Sequence, residues 1–206
     1  MALSASLAKS SPRLRLADLI GILAHPIVLG CLGLATIVIK HVPQPDLQLF
    51  YLSFLALMTF APAAIYLFVH YQGRILDILE VVDRQARLVP YFLMVIGSIS
   101  ALVVLSFIQA PMAIIAVTAV LLVNEIALGA LNLYTKVSIH TATPALTALT
   151  LGYLVSPLWL WCLLITPIVG WARVARQRHT AKQVVLGSAV ATVGTFLTLL
   201  LVNWLG

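Results

Sequence analysis

The chain reads as an all-α polytopic membrane protein, and three observations predict it. Of 206 residues, 62% are hydrophobic and only 9% are charged, against roughly a quarter charged in an ordinary soluble domain. The mean hydropathy of +1.10 requires long uninterrupted apolar runs, because a soluble helix keeps a polar face. Several windows reach the ~20 apolar residues that cross a hydrocarbon core.

Seven apolar segments lie at 18–39, 48–69, 90–108, 112–134, 141–155, 157–172 and 183–205. Residues 1–17 are rich in Ser and Ala and lack both an apolar core and a small-residue cleavage site. They read as a retained tail rather than a signal or transit peptide, and 18–206 as a single helical membrane domain. The breaks have chemical reasons. Val42 to Asp46 contains two prolines, and Gln109-Ala110-Pro111 and Ser156-Pro157 pair a polar or small residue with Pro, which has no N–H to continue a helix. The fifth and sixth segments are short, so about seven spans are expected, with six spans and a re-entrant hairpin as the other arrangement.

Charge predicts the orientation. The tail holds Lys9, Arg13 and Arg15. The second gap holds Arg74, Arg84 and Arg87, the fourth Lys136, and the sixth Arg173, Arg176, Arg178 and Lys182. Of the 12 Lys and Arg, Lys40 alone falls on the other face. The positive-inside rule reads the tail and the even gaps as cytoplasmic and the C-terminus as external. In such a chain a pI of 9.7 reports topology and lipid headgroups, not nucleic acid. Cys31 and Cys162 sit in apolar runs without metal-ligand spacing and read as small core residues.

Within the spans most polar residues have structural readings. Gly187, Ala191 and Gly194 form a small-residue stripe for close helix packing. Thr143, Thr147 and Thr150 are spaced to bond the preceding turn or a neighbouring helix. Pro62 and Pro167 are expected to kink their helices. His25, beside Pro26, is expected to find a backbone or water partner. Asn124-Glu125, deep in an apolar helix, is either a polar bridge or part of a functional cavity, because an unpaired carboxylate there costs several kcal/mol.

Three stretches gather at the basic face: 73–90, 136–142 and 172–183. They contain His140 and His179, several arginines and two lysines. The carboxylates Asp77, Glu80 and Asp83 all fall in one stretch, leaving no second acidic cluster to share a metal. That inventory suits phosphoryl chemistry without a metal. Guanidinium forks match phosphate oxygens, and an imidazole serves as nucleophile or acid near neutral pH. A basic face that merely anchors anionic lipid is the plainer alternative.

Spacing adds a resemblance. Arg173-Val-Ala-Arg-Gln-Arg-His179-Thr-Ala-Lys-Gln183 resembles the third signature of the type 2 phosphatidic acid phosphatase superfamily, Ser-Arg-x5-His-x3-Asp. Ser138-Ile-His140-Thr141-Ala142 resembles the second, Pro-Ser-Gly-His. Asp83-Arg84-Gln-Ala-Arg87-Leu-Val-Pro90 is a loose echo of the first, Lys-x6-Arg-Pro. The resemblance spans about residues 74–205 and implies a phosphatidic acid phosphatase/haloperoxidase-like helical core.

It further implies that His179 is the nucleophile forming a phosphohistidine and that His140 is the acid and later the base activating water. Arg173 would hold phosphoryl oxygens, Ser138 would donate to one, and Arg87 or Arg84 with Lys136 would complete the clamp, with no metal and no cofactor. The pattern departs at Ala172 in place of Ser, at Val137 and Ile139 in place of Pro and Gly, and at Gln183 in place of Asp. Gln183, one turn after His179, can still accept the Nδ1–H but brings no charge. The implied activity is hydrolysis of a lipid phosphate monoester or polyprenyl diphosphate, with the bilayer and a lipid phosphate as partners. The alternative is a non-catalytic lipid-phosphate binder or carrier on the same scaffold, in which Glu125 would serve a transport cycle. Oligomeric state is not encoded in any pattern of the chain.

Overall fold

The computed structural model describes residues 11–74, 81 and 83–205. The elements are α1 (Pro12–Leu23), α2 (Pro26–His41), α3 (Pro45–Leu55), a π-helical turn (Ala56–Phe60), α4 (Ala61–His70), a short 3-10 turn (Gln85–Arg87), α5 (Leu88–Phe107), α6 (Met112–Asn132), α7 (Ile139–Leu154), a 3-10 run (Pro157–Leu164), α8 (Ile165–Ala175) and α9 (Ala181–Leu205). Among the described residues there is no strand. Asp77 and Glu80 of the acidic stretch, and Lys9 of the tail, lie outside the described residues.

Six helical spans are long and apolar enough to cross a membrane: Pro12–His41, Pro45–His70, Gln85–Phe107, Met112–Asn132, Pro157–Ala175 and Ala181–Trp204. The chain is an all-α polytopic membrane protein. α7, with 16 residues, is too short to join them as a lipid-exposed span, yet it runs from one end of the bundle to the other. His140 near its start lies in the basic cluster, and at its end the Leu154 carbonyl meets His41 Nε2 at 2.7 Å. The burial of α7 explains its length: packed by α2, α8 and α9, it does not need to match the thickness of the hydrocarbon.

Several boundaries differ from the sequence reading. α1 starts at Pro12 rather than at residue 18, because Pro suits the first helical turn, where its N–H would be unpaired anyway. Ala17 is buried, and Asp18 binds Arg176 at 2.6 Å. The first apolar segment is broken at Ala24–His25, ahead of Pro26. Cys31 is exposed and Cys162 half-buried, both free, so Cys31 is not a core residue. In a membrane bundle an apolar run continues around the lipid face, and apolarity alone does not mark the interior.

Pro62 and Pro167 act on the helices differently from a simple kink. The π turn ahead of Pro62 closes with Ala61 N–H on the Ala56 carbonyl, absorbing the hydrogen bond that Pro62 cannot make. That leaves the Met58 carbonyl without its usual donor, and α5 passes against it at Gly97. A Cβ on Gly97 would fall 1.9 Å from the Met58 oxygen. Pro167 lies just after the 3-10 run, in the first turn of α8.

Two cores fill the bundle. Ile37, Leu55, Leu105 and Ile114 pack at the end away from the basic cluster, and Tyr91, Leu128, Val137, Ala142 and Ala191 pack beneath it. Thr143 and Thr150 bond back to the Ile139 and Leu146 carbonyls at 3.0 and 2.7 Å, while the Thr147 methyl fills the space at Gly33. Asn124 bridges to α9, its Nδ2 donating to Thr195 Oγ1 at 3.1 Å. Glu125 faces α5 and accepts from Ser98 Oγ at 2.7 Å. Gly97→Ala is expected to destabilise the protein by about 1–3 kcal/mol by overpacking backbone on backbone. Gly30→Ala, where nothing lies within 4 Å of the new methyl, is expected to be near neutral. Thermal unfolding of the two variants in detergent checks the contrast.

Candidate active site

The spacing between Arg173 and His179 is the length of a helix-to-helix connector. α8 closes with Arg178 N–H on the Arg173 carbonyl at 3.0 Å and Gln177 N–H on the Val174 carbonyl at 2.9 Å, with Gln177 in the left-handed region at φ 54. This is the double hydrogen bond of a Schellman cap. α9 then opens with a capping box. Gln183 N–H donates to Thr180 Oγ1 at 3.3 Å, and Thr180 N–H donates to Gln183 Oε1 at 3.1 Å. His179 stands between the two caps, so the turn from α8 to α9 fixes its backbone.

The same Gln183 oxygen lies 3.3 Å from His179 Nδ1. Because that atom accepts from the Thr180 N–H it is the amide oxygen, so Nδ1 carries the proton and the lone pair of the neutral ring is on Nε2. Gln183 therefore caps α9 and orients His179 with one atom.

The second stretch is pinned to this turn by backbone. Ser138 N–H donates to the Gln183 carbonyl at 3.4 Å, and Thr141 Oγ1 donates to the Val184 carbonyl at 3.1 Å. α9 comes this close because residue 187 is glycine: a Cβ there would sit 2.7 Å from the Ser138 carbonyl oxygen. Gly194, further along the stripe, packs on the Asn124 amide. From the third side, Arg87 donates from Nη1 to the Val137 carbonyl at 3.1 Å and from Nε to the Val81 carbonyl at 2.8 Å.

The three stretches thus meet at one end of the bundle. Ser138, His140, Arg173 and His179 are 0, 8, 7 and 6% exposed. Arg87 and Arg173 lie within electrostatic reach of both histidines, Lys136 within reach of His179, and the two histidines within reach of each other. Burial pulls the His179 pKa down to about 4, and Lys136, Arg87 and Arg173 push the same way, while the Gln183 bond opposes them. At neutral pH His179 is an uncharged imidazole in a cationic cluster. Ser138 Oγ and His140 Nε2 are buried without a hydrogen-bond partner. Such groups are costly unless something completes them.

Arg84 is engaged elsewhere. Its Nη1 donates to the Leu133 carbonyl at 2.7 Å and its own carbonyl accepts from Asn132 Nδ2, and it lines a separate recess of about 280 Å³ with Gln85 and Leu88. Conversely, one residue assigned no site role by sequence belongs to the cluster. His25 does find a backbone partner, its Nδ1 accepting from the Ile27 N–H at 3.3 Å, but its ring also stands edge-on to His140 with 5.2 Å between centroids. The signal was a His-Pro pair inside an apolar run.

No family model, curated protein or solved structure matches this chain. The roles of these side chains rest on their chemistry and placement.

The unfolded His179 imidazole takes a proton near 6.5 and the folded one near 4, so the unfolded state binds more protons between those values. This residue's contribution to stability is therefore expected to be complete above pH 6.5 and to fall as pH drops toward 4. Lys136→Gln, by removing a repelling charge, and Gln183→Glu, by placing a carboxylate on Nδ1–H while keeping the capping box, are both expected to raise the His179 pKa. An NMR titration of labelled histidine reads the shift directly.

Proposed function

We propose that the protein is a membrane lipid phosphatase that hydrolyses a lipid phosphate monoester or polyprenyl diphosphate through a phosphohistidine, without a metal. The observation that carries this reading is the meeting of two buried histidines with Arg87, Lys136, Ser138 and Arg173, with the lone pair of His179 directed to Nε2 by Gln183. The reading accords with the resemblance to the type 2 phosphatidic acid phosphatases.

In this mechanism the anionic phosphate offsets the surrounding positive charge, so that His140 takes up a proton as the substrate binds; His179 Nε2 then attacks phosphorus, the bond from phosphorus to the lipid oxygen breaks, and His140 gives that oxygen the proton it took up. His140 then takes a proton from water. The water oxygen attacks the phosphohistidine, the N–P bond breaks, and phosphate leaves with His179 restored. Charge building on the phosphoryl oxygens is met by Arg173, Arg87 and Lys136, with the Ser138 hydroxyl as a neutral donor, and preorganised donors in a dry pocket are the largest source of such stabilisation. A depressed pKa keeps the nucleophile unprotonated.

A lipid substrate is supported by the surroundings. A mostly apolar groove of about 440 Å³ runs between α7, α8 and α9, lined by Ala145, Leu163, Pro167, Val185, Ser188 and Val193. Val185 lies in the first turns of α9, so one end of the groove is level with the start of that helix, near Gln183 and His179. By the positive-inside rule this end faces the cytoplasm. A cysteine placed at 178 is expected to be shielded from an impermeant thiol reagent in intact cells and to react after permeabilisation.

A second reading, a lipid-phosphate binder or carrier without turnover, is favoured by one observation. Gln183 is neutral where a carboxylate would stabilise the imidazolium, and its capping of α9 is reason enough for its presence. Phosphate release from phosphatidate and from a polyprenyl diphosphate, measured in detergent with EDTA, separates the two. Release is expected, with His179→Ala reducing it on the order of 10⁴-fold or more and His140→Ala nearly as much. Equal release from His179→Ala would overturn the mechanism. Folded wild-type protein that binds the lipids without releasing phosphate would establish the second reading.

A further inference from the structure

The first span is interrupted in mid-course. α1 gives way at Ala24 and α2 begins at Pro26, leaving His25 extended at φ −62, ψ 137 within the 30-residue apolar stretch Pro12–His41. Non-helical backbone at membrane depth is tolerated where it is buried in protein or lines a cavity. This break meets the histidine cluster: the His25 ring contacts His140 edge-on at 5.2 Å. α1 is held against the same site by α8. Asp18 pairs with Arg176 at 2.6 Å, and Gly21 leaves room for the Arg173 guanidinium, whose Nη1 would be 3.7 Å from a Cβ there.

The break also sets the chemistry of His25. Its Nδ1 accepts the Ile27 N–H, so in the neutral ring the proton is on Nε2. The positive end of the α2 half-helix begins at the same point, an arrangement by which broken membrane helices receive anionic groups. Beside it are Ser138 Oγ and His140 Nε2, both buried and lacking a hydrogen-bond partner.

We propose that the broken N-terminal helix completes the phosphate site and that His25 is a ligand-binding residue, donating its Nε2–H to a phosphoryl oxygen next to His140. The proposal rests on the phosphate reading of the site and adds to it a binding group outside the three signature-like stretches.

Binding of orthovanadate to the full chain in detergent with EDTA, followed by tryptophan fluorescence, tests it. His25→Asn retains a side-chain oxygen to cap the Ile27 N–H, while its shorter amide N–H stops short of the position of the imidazole Nε2–H. It is expected to weaken vanadate binding on the order of tenfold, the scale of one lost hydrogen bond to a charged group, without a change in unfolding temperature. His25→Gln, which restores an N–H donor of similar reach, is expected to recover most of the affinity, a rescue that a purely structural role would not produce. Wild-type affinity in His25→Asn, or a Gln variant as weak as the Asn variant, would overturn the proposal. If His179→Ala weakens binding and His25→Asn does not, this inference alone fails. If the wild-type protein binds no vanadate, the phosphate reading fails with it.

Discussion

The close approach of α9 to the backbone of Ser138, across Gly187, is the contact on which the rest of the site depends. It brings the start of α7 against the start of α9 without an intervening side chain, so that Ser138 N–H reaches the Gln183 carbonyl and Thr141 reaches Val184. In lipid there is little hydrophobic gain from bringing one apolar helix onto another, and close packing with backbone hydrogen bonds takes its place. Once those two helix starts are locked, His140 and His179 are carried into one cluster by elements held in place for structural reasons.

The cluster is cationic and largely buried, and the fold holds several of its charges in place. Arg87 is tied to the Val81 and Val137 carbonyls, Arg176 to Asp18, and Arg173 leaves α8 one turn before its C-cap. Holding positive groups together in this way costs free energy, which an anionic ligand would offset by pairing with them. Burial is the main cause of the depressed pKa of His179, and the neighbouring positive charges add to it. Burial and cationic clustering therefore act together to keep the imidazole neutral.

Gln183 shows how one side chain serves fold and site together. Its oxygen closes the α9 capping box and also holds Nδ1–H of His179. A glutamine suits the cap as well as an acid does, because the cap asks only for an acceptor. A histidine acting as the proposed nucleophile would ask for charge as well. The residue at this position thus meets the structural demand in full and the electrostatic one in part.

The sequence by itself determined the class of the protein and the end of the bundle at which its ionisable groups gather, because apolar length and the placement of Lys and Arg act locally along the chain. It also marked the connector from Arg173 to Gln183, whose caps are built from neighbours in sequence. Tertiary structure alone decided the rest. It made α7 a short buried helix, since burial is a property of neighbours, and it turned Cys31 outward to the surface of the bundle. It drew Arg84 to the Leu133 carbonyl and away from the clamp, and it brought His25 to His140 across more than half the chain. Which arginine joins a site and which histidine meets another depend on how helices cross, and no periodicity within a single helix records that.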